Sequence, residues 1–409
     1  MKHKQNTQKN AAGGKAVLIG VVFCLSYLAS YYIRKLLGLS RTDIIDEKLF
    51  SKLELDSFQS LYMVFYAAGQ LINGIIGDFL PPRRMIALGF VLSGVSMIVF
   101  PLTGNYWLSL FCFAVFGYGL SMLRGPMMKL IAENTDPGQA RIICTFFNFS
   151  CYFGVFIASV FVSLFAWRIS FLVSGGITLA VAVAIWLFIR RMENSGHFRT
   201  GQADAARQPM TWGEILKIFR LPSFVYFLLI GGLIETANTT INYWIPSFVQ
   251  GYLGQSAEFS NAVASVISVV IASCSFVALF LYHVSRGRTK PVILGLFLLS
   301  GLAFLTVLLS DSLWGSLIGL LLALLFIGCV SSLMWSIYIP SLARTGKVSG
   351  ANGVLDCFGY LFASGANVLF SFLAGDPEVP TWNRLILAWI GISVIGILLT
   401  VFRHEPKAE

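Results

Sequence analysis

AVLIGVVFCLSYLASYYIRKLLGLS, residues 16–40, is an apolar run that carries two adjacent cations, Arg34 and Lys35, directly after Tyr31, Tyr32 and Ile33. A helix needs about 20 predominantly apolar residues to cross a bilayer, so the run predicts a transmembrane helix. Insertion scales put roughly 2.5–3.5 kcal/mol on each Arg or Lys at the bilayer centre. Cations of that cost persist in an apolar helix when they line a polar cavity, pair with another group, or extend to the headgroups. At 1.5 Å per residue Arg34 lies ~28 Å along the helix from Lys15, which suits a headgroup anchor unless the helix starts well below the membrane. Both roles stay open at this point.

Outward from this run the pattern repeats. Of 409 residues, 56% are hydrophobic and only 12% charged, against about 25% charged in soluble domains. The charges sit in short clusters between long apolar runs, which predicts an all-α, polytopic membrane protein. An outer-membrane barrel would instead show alternating segments of about 10 residues. The seven cysteines all fall within apolar runs with no CxxC or metal-ligand spacing, so they read as small packing residues, with no disulfide, metal or other cofactor expected. His3, His197, His283 and His404 all fall at loops or helix ends, which rules out a histidine proton relay within the membrane. Lys2, Lys4, Lys9 and Lys15 precede an apolar run longer than that of a signal peptide, so the first helix is read as retained.

The 20-residue ruler predicts twelve spans. Six lie near 16–39, 57–80, 84–103, 107–132, 141–165 and 169–190, and six near 222–250, 260–284, 290–309, 313–341, 348–374 and 382–403. The polar stretch 191–221 between them reads as a cytoplasmic linker joining two bundles, 1–190 and 222–409; its Thr211-Trp212-Gly213-Glu214 is a candidate start for a surface helix. With the N-terminus inside, 21 of the 29 Lys and Arg fall on the inner side, five on the outer side, and Arg34, Lys35 and Arg124 within the membrane. That asymmetry predicts cytoplasmic termini in a cytoplasmic membrane. It also accounts for the net charge of +10 through contact with anionic inner-leaflet lipid, not nucleic acid.

Several spans carry polar stripes at steps of three and four, which place residues on one helical face. The first has Tyr27, Ser30, Tyr31 and Arg34; the fourth has Arg124 before Gly125-Pro126, a pair that bends or breaks a helix. The fifth has Asn148, Cys151 and Tyr152; the seventh Glu235, Asn238, Thr239 and Asn242; the eleventh Asn352, Asp356, Gly359, Tyr360 and Asn367. Such stripes line a cavity or hydrogen-bond neighbouring helices. Three intramembrane cations against the two acids Glu235 and Asp356 leave a net positive interior. This favours an anionic ligand, since arginine grips phosphate or carboxylate through two parallel hydrogen bonds. Glu235 and Asp356 are the candidates for proton coupling, with structural ion pairing to Arg34 or Arg124 as the other role.

Two sets of six spans suggest a duplicated unit. Ser121-Met122-Leu123-Arg124 lies on Ser332-Leu333-Met334-Trp335 at an offset that also lays Arg141 on Asn352. The stretch from Gly74 to Arg84 places Asp78 four residues after a glycine and before the basic pair Arg83-Arg84. It resembles the loop signature of the major facilitator superfamily, with Phe79 in place of the usual arginine. That resemblance implies two six-helix bundles around a midplane site, with Asp78 capping or pairing across a helix end and Arg83 and Arg84 latching an inner gate. Within the superfamily, Tyr31-Tyr32-Ile33-Arg34-Lys35 resembles the first-helix motif of the organophosphate:phosphate antiporters, the glycerol-3-phosphate and hexose-phosphate carriers. Asn148, Trp244-Ile245-Pro246 and Phe358-Gly359-Tyr360 agree in register. The resemblance implies that Arg34 binds the phosphate moiety. The family's second phosphate arginine falls on Asn238 and its fifth-helix histidine on Cys151.

The resulting expectation is a monomeric secondary transporter of a small organic anion, an organophosphate, carboxylate or sugar acid, working by alternating access. With no nucleotide-binding loop, a proton or counter-anion gradient would drive it. Arg34, Lys35, Tyr31 and Arg124 would hold the anionic group, and Asn148, Tyr152, Asn238 and Asn352 the polar body. Two other roles are weighed. A proton-coupled drug exporter would use the same acids in a less cationic pocket. A transport-inactive sensor of a phosphorylated metabolite would keep the arginines. A membrane enzyme is least expected, since the sequence shows no metal cluster, no nucleophile with a base and no histidine within the membrane.

Overall fold

The computed structural model describes residues 2–198, 213, 216–310, 312–375 and 381–403, with side chains from residue 14 onward except at 42, 152, 155, 159, 163, 246, 257, 258, 261, 264, 265 and 268. The candidate surface helix at 211–214 lies outside the described residues apart from Gly213.

The apolar runs become α1 (Lys2–Leu39), α2 (Lys52–Phe79), α3 (Pro82–Val99), α4 (Tyr106–Ser121, resuming as Arg124–Asn134), α5 (Pro137–Leu164) and α6 (Trp167–Asn194). They continue as α7 (Phe224–Ser247), α8 (Ala257–Val284), α9 (Thr289–Leu309), α10 (Leu313–Leu333), α11 (Val348–Ala374) and α12 (Trp382–Val401). Among the described residues 11 helices are long and apolar enough to cross a membrane, and α8 contributes the shorter apolar stretch Val269–Val284. The chain is therefore a multi-pass membrane protein on a twelve-helix plan.

Local chemistry sets the helix starts. The Ser51 backbone N–H donates to Glu54 Oε2 at 2.8 Å, and Glu54 N donates back to Ser51 Oγ at 3.3 Å. This reciprocal cap starts α2 at Lys52, five residues before the apolar run begins. Asn105 Oδ1 accepts from Leu108 N to start α4, and Ser312 Oγ accepts from Gly315 N to start α10. Proline occupies the first positions of α3 and α5, where its missing N–H costs nothing.

Two helices depart from α geometry at equivalent points. α4 closes with short-range bonds from Met122 N to Gly119 O and from Leu123 N to Leu120 O, then resumes at Arg124. Pro126 explains the break, because it has no N–H to offer Met122 and its ring collides with that carbonyl. α10 widens into a π turn over Met334–Tyr338 before Ile339–Ser341. The offset that lays Ser121 on Ser332 carries the first irregularity onto the start of the second.

The chain divides into two units, Met1–Ile218 with Tyr338–Val354, and Phe219–Ile337 with Leu355–Glu409. In the first, α1 packs on α5, α2 on α4, and α3 on α6 and α4. Phe58, Phe100, Phe113 and Phe171 form its aromatic core, with centroids 4.9–6.1 Å apart. In the second, α8 packs on α10, and α9 on α10 and α12, which repeats the pairing of α2 with α4 and of α3 with α6. Trp389 Nε1 donates to Thr240 Oγ1 at 3.0 Å, tying α12 to α7. Lipid is as apolar as either core, so side-chain packing and such internal hydrogen bonds hold the helices together. All seven cysteines are unbridged, six buried and Cys24 half-buried.

Candidate functional site

In the first unit, α1 turns Tyr27, Tyr31 and Arg34 to one face. The Arg34 guanidinium carbon sits 4.5 Å from the centroid of the Tyr31 ring and 4.3 Å from that of Tyr66, which comes from α2. A planar cation between two aromatic faces gains electrostatic attraction from both and loses side-chain freedom. Arg34 is half-buried and Lys35 exposed, as their turn of about 100° around the helix requires. Tyr27 is buried and stacks on Phe147 of α5 with centroids 3.9 Å apart.

Arg124 opens the second segment of α4, where the Pro126 break turns it inward, and it is buried. Its Nη2 donates to Asn148 Oδ1 of α5 at 3.3 Å. Tyr27 links the two places: its ring lies 5.2 Å from that of Tyr31 and 3.9 Å from that of Phe147, the neighbour of Asn148. The structure thus brings together Tyr31, Arg34, Arg124 and Asn148 from three helices. The side chain of Tyr152, also on α5, lies outside the described residues.

α2 carries a polar face that begins at Tyr66, beside Arg34. Tyr66, Gln70, Asn73, Gly74, Gly77 and Asp78 are all buried. Asn73 Nδ2 donates to Ser121 Oγ at 2.7 Å. At Gly74 the backbones of α2 and α11 nearly touch: a β-carbon there would lie 2.6 Å from the Gly353 Cα. One turn on, Asp78 Oδ1 accepts from Ser349 N at 3.0 Å and Oδ2 from Gly350 N at 2.9 Å. A carboxylate so placed satisfies free N–H groups of the first turn of α11 and meets the positive end of its dipole. Lys129 of α4 reaches the same helix end, donating to Asp78 O at 2.8 Å and Gly77 O at 3.3 Å. Counted with the inner-side charges at the end of the fourth span, Lys129 is buried. Asn352 sits at this crossing. Its amide and that of Gln70 are fully buried with no hydrogen-bond partner among the described residues.

Arg83 and Arg84 do not join Asp78. Arg83 pairs with Glu193 of α6 at 2.5 Å and lies 5.5 Å from the Trp186 ring centroid, while Arg84 is exposed. Tyr66, Gln70, Lys129, Ser349 and Gly350 are the residues that sequence reasoning missed. The steps Tyr62, Tyr66, Gln70, Asn73 and Gly77 along the second span would have pointed to the first two.

In the second unit, Glu235 and Asn238 are half-buried on α7, and Asp356 is buried on α11. Glu235 packs against α11 at Gly359, where a β-carbon would lie 2.9 Å from Glu235 Cγ. Asn238 O accepts from Asn242 Nδ2 at 2.7 Å, and the Asn238 side-chain carbonyl is buried with no hydrogen-bond partner among the described residues. No group of three or more metal-ligating His, Cys, Asp or Glu occurs among the described residues.

Comparison with known proteins agrees with this architecture. The glucose-6-phosphate exchanger SLC37A2 of Mus musculus is 20% identical over 395 residues, covering 84% of this chain and 78% of its own length. The SLC37A2 of Danio rerio is 26% identical over 247 residues, and this chain spans only 49% of its length. The membrane sensor protein UhpC of Salmonella typhimurium is 20% identical over 268 residues, 61% of this chain and 60% of its own length. Among solved structures, the E. coli fucose:proton symporter FucP superposes with a TM-score of 0.72 at 17% identity, over 96% of this chain and all of FucP. The proton:xylose symporter XylE gives a TM-score of 0.72 at 14% identity, over 96% of this chain and 95% of its own. These are transporters and a sensor rather than enzymes. Residues 19–364, from α1 into α11, match the superfamily profile, and on that match and this fold the chain belongs to the Major Facilitator Superfamily.

Proposed function

We propose that the protein is a secondary active transporter that moves a small organic anion, an organophosphate or a sugar acid, across the cytoplasmic membrane. The observation that carries this reading is the pair of guanidiniums inside the first unit. Arg34 lies between two tyrosine rings and Arg124 against Asn148, so both are oriented before any ligand arrives. Preorganised arginine forks favour a carboxylate or phosphate over a neutral sugar. The relatives named glucose-6-phosphate exchangers support the phosphate ester within that class.

In this reading Arg34 and Arg124 hold the anionic group, with Lys35 adding charge and Tyr31 a hydroxyl. Asn148, Tyr152, Asn238 and Asn352 meet the polar body. Glu235 or Asp356 couples a proton, or a counter-anion drives exchange. Asp78 latches the start of α11 as a gate, with Arg83 and Arg84 steadying the neighbouring loop. The bias of basic residues supports cytoplasmic termini, and a monomer suffices for the scheme.

Proteoliposomes loaded with inorganic phosphate and diluted into labelled glucose-6-phosphate should accumulate label, and Arg34→Ala should abolish it. Accumulation of labelled gluconate but not the ester, under an inward proton gradient, would assign the sugar-acid arm. The likeness to UhpC favours one other role, a sensor. Saturable binding with no flux under either gradient would establish it and end the transporter reading.

A further inference from the structure

A cavity outside the candidate site is built in two chemically distinct halves. Between α1 and α5 runs an apolar groove of about 450 Å³, floored by Ala16, Gly20 and Cys24 and walled by Val17, Ile142 and Phe146. Ala16 and Gln139 also line a second, polar cavity of about 390 Å³. Lys15, Glu133, Thr135, Asp136 and His197 complete the polar half. The two are continuous at the shared residues and lie wholly in the first unit.

Small residues one turn apart on α1 open the groove: a β-carbon on Gly20 would already press to 3.2 Å from Ile143. Its walls are exposed, Val17 by 66% and Phe146 by 49%, and they belong to membrane-spanning helices. The groove therefore faces acyl chains.

The polar half offers both donors and acceptors. Lys15 is a cation that donates to His197 O and has three ammonium protons in all, and Gln139 uses its carbonyl oxygen on Asp136 N, which leaves its amide N–H groups for a ligand. The same cavity also offers acceptors. Glu133 and Asp136 are carboxylates. Thr135 donates its hydroxyl proton to Ile131 O, which leaves its oxygen lone pairs to accept. An apolar groove thus adjoins a cavity lined by a cation, amide donors and two carboxylates.

We propose that this cavity binds one phosphatidylethanolamine molecule. An acyl chain lies in the groove, the phosphate meets Lys15 and Gln139, and the primary ammonium meets Glu133, Asp136 and the Thr135 oxygen. Phosphatidylcholine has no N–H to donate to these acceptors. Phosphatidylglycerol brings an anion with no cation to face two carboxylates.

The full-length protein, delipidated and then titrated with dioleoyl phosphatidylethanolamine, phosphatidylcholine or phosphatidylglycerol, is read by native mass spectrometry. One molecule of the ethanolamine lipid should stay bound preferentially. The Glu133→Gln, Asp136→Asn double variant should lose that preference about tenfold, the effect of removing one or two charge-assisted hydrogen bonds. Val17→Trp, at an exposed wall, should lower retention of all three lipids without unfolding the protein. Equal retention of the three lipids by the wild type, preference for phosphatidylglycerol, or an unchanged preference in the double variant would overturn the proposal.

Discussion

Asp78 and Gly350 meet so closely that the residue between Ser349 and Ala351 has room for no side chain. Asp78 Oδ2 accepts from the Gly350 N–H at 2.9 Å, and a β-carbon on Gly350 would lie 2.5 Å from that oxygen. Gly350→Ala should therefore push the carboxylate away and free the first turn of α11. Asp78→Ala should do the same by removing two charge-assisted bonds, at roughly 1.5–3 kcal/mol each. Hydrogen–deuterium exchange over residues 348–354 should rise in both variants, and Asp78→Asn, which keeps one acceptor oxygen, should lie between them and wild type. Unchanged exchange in all three would remove Asp78 as a latch.

The Arg34 sandwich makes a prediction about its partner ring. Tyr66→Phe keeps the aromatic face and should leave uptake near wild type. Tyr66→Leu removes it, and uptake at low substrate should fall about tenfold, the value of a half-buried cation–π contact, between the exposed and desolvated limits. Arg34→Lys keeps the charge but loses the fork and the stacking plane, so it should resemble Arg34→Ala, with a loss of about 100-fold or more. If Tyr66→Leu transports normally, stacking has no part in anion binding.

Gln70 and Asn352 carry buried amides without hydrogen-bond partners among the described residues, at a cost of about 1–3 kcal/mol per orphaned group. Gln70→Met replaces the amide with an apolar group of similar shape. The variant should melt at a higher temperature in detergent yet transport more slowly, because the polar group serves a state in which it is hydrated or bound. A lower melting temperature would mean that the amide is satisfied in the folded protein.

The two acids of the second unit are separable. If Asp356 carries the coupling proton, Asp356→Asn should flatten the pH dependence of uptake while Glu235→Gln retains it; the reverse pattern assigns Glu235. Full pH dependence in both variants, measured in proteoliposomes with a clamped membrane potential, would leave counter-anion exchange as the drive.

The spans were legible because apolar length is read directly from composition. The expected 348–374 coincides with α11, and 290–309 misses α9 by one residue. The starts of α2 and α5 were placed four or five residues late, because polar caps and an N-terminal proline extend a helix beyond its apolar stretch. Periodicity put Tyr31 and Arg34 on one face but could not supply Tyr66, since a helical pattern names a face and not the neighbour opposite. For the same reason Lys129 was counted only among the inner-side charges, at the end of the span 107–132. Its place against Asp78 follows from how α4 crosses α2, which no local pattern records.

Six of the seven native thiols are sealed behind packed helices. The unmodified protein should therefore react little with water-soluble maleimides and can serve as its own reference in site-directed labelling. A single cysteine placed at the exposed Lys35 position would report, through its rate of modification, whether water reaches that face of α1 when substrate is added.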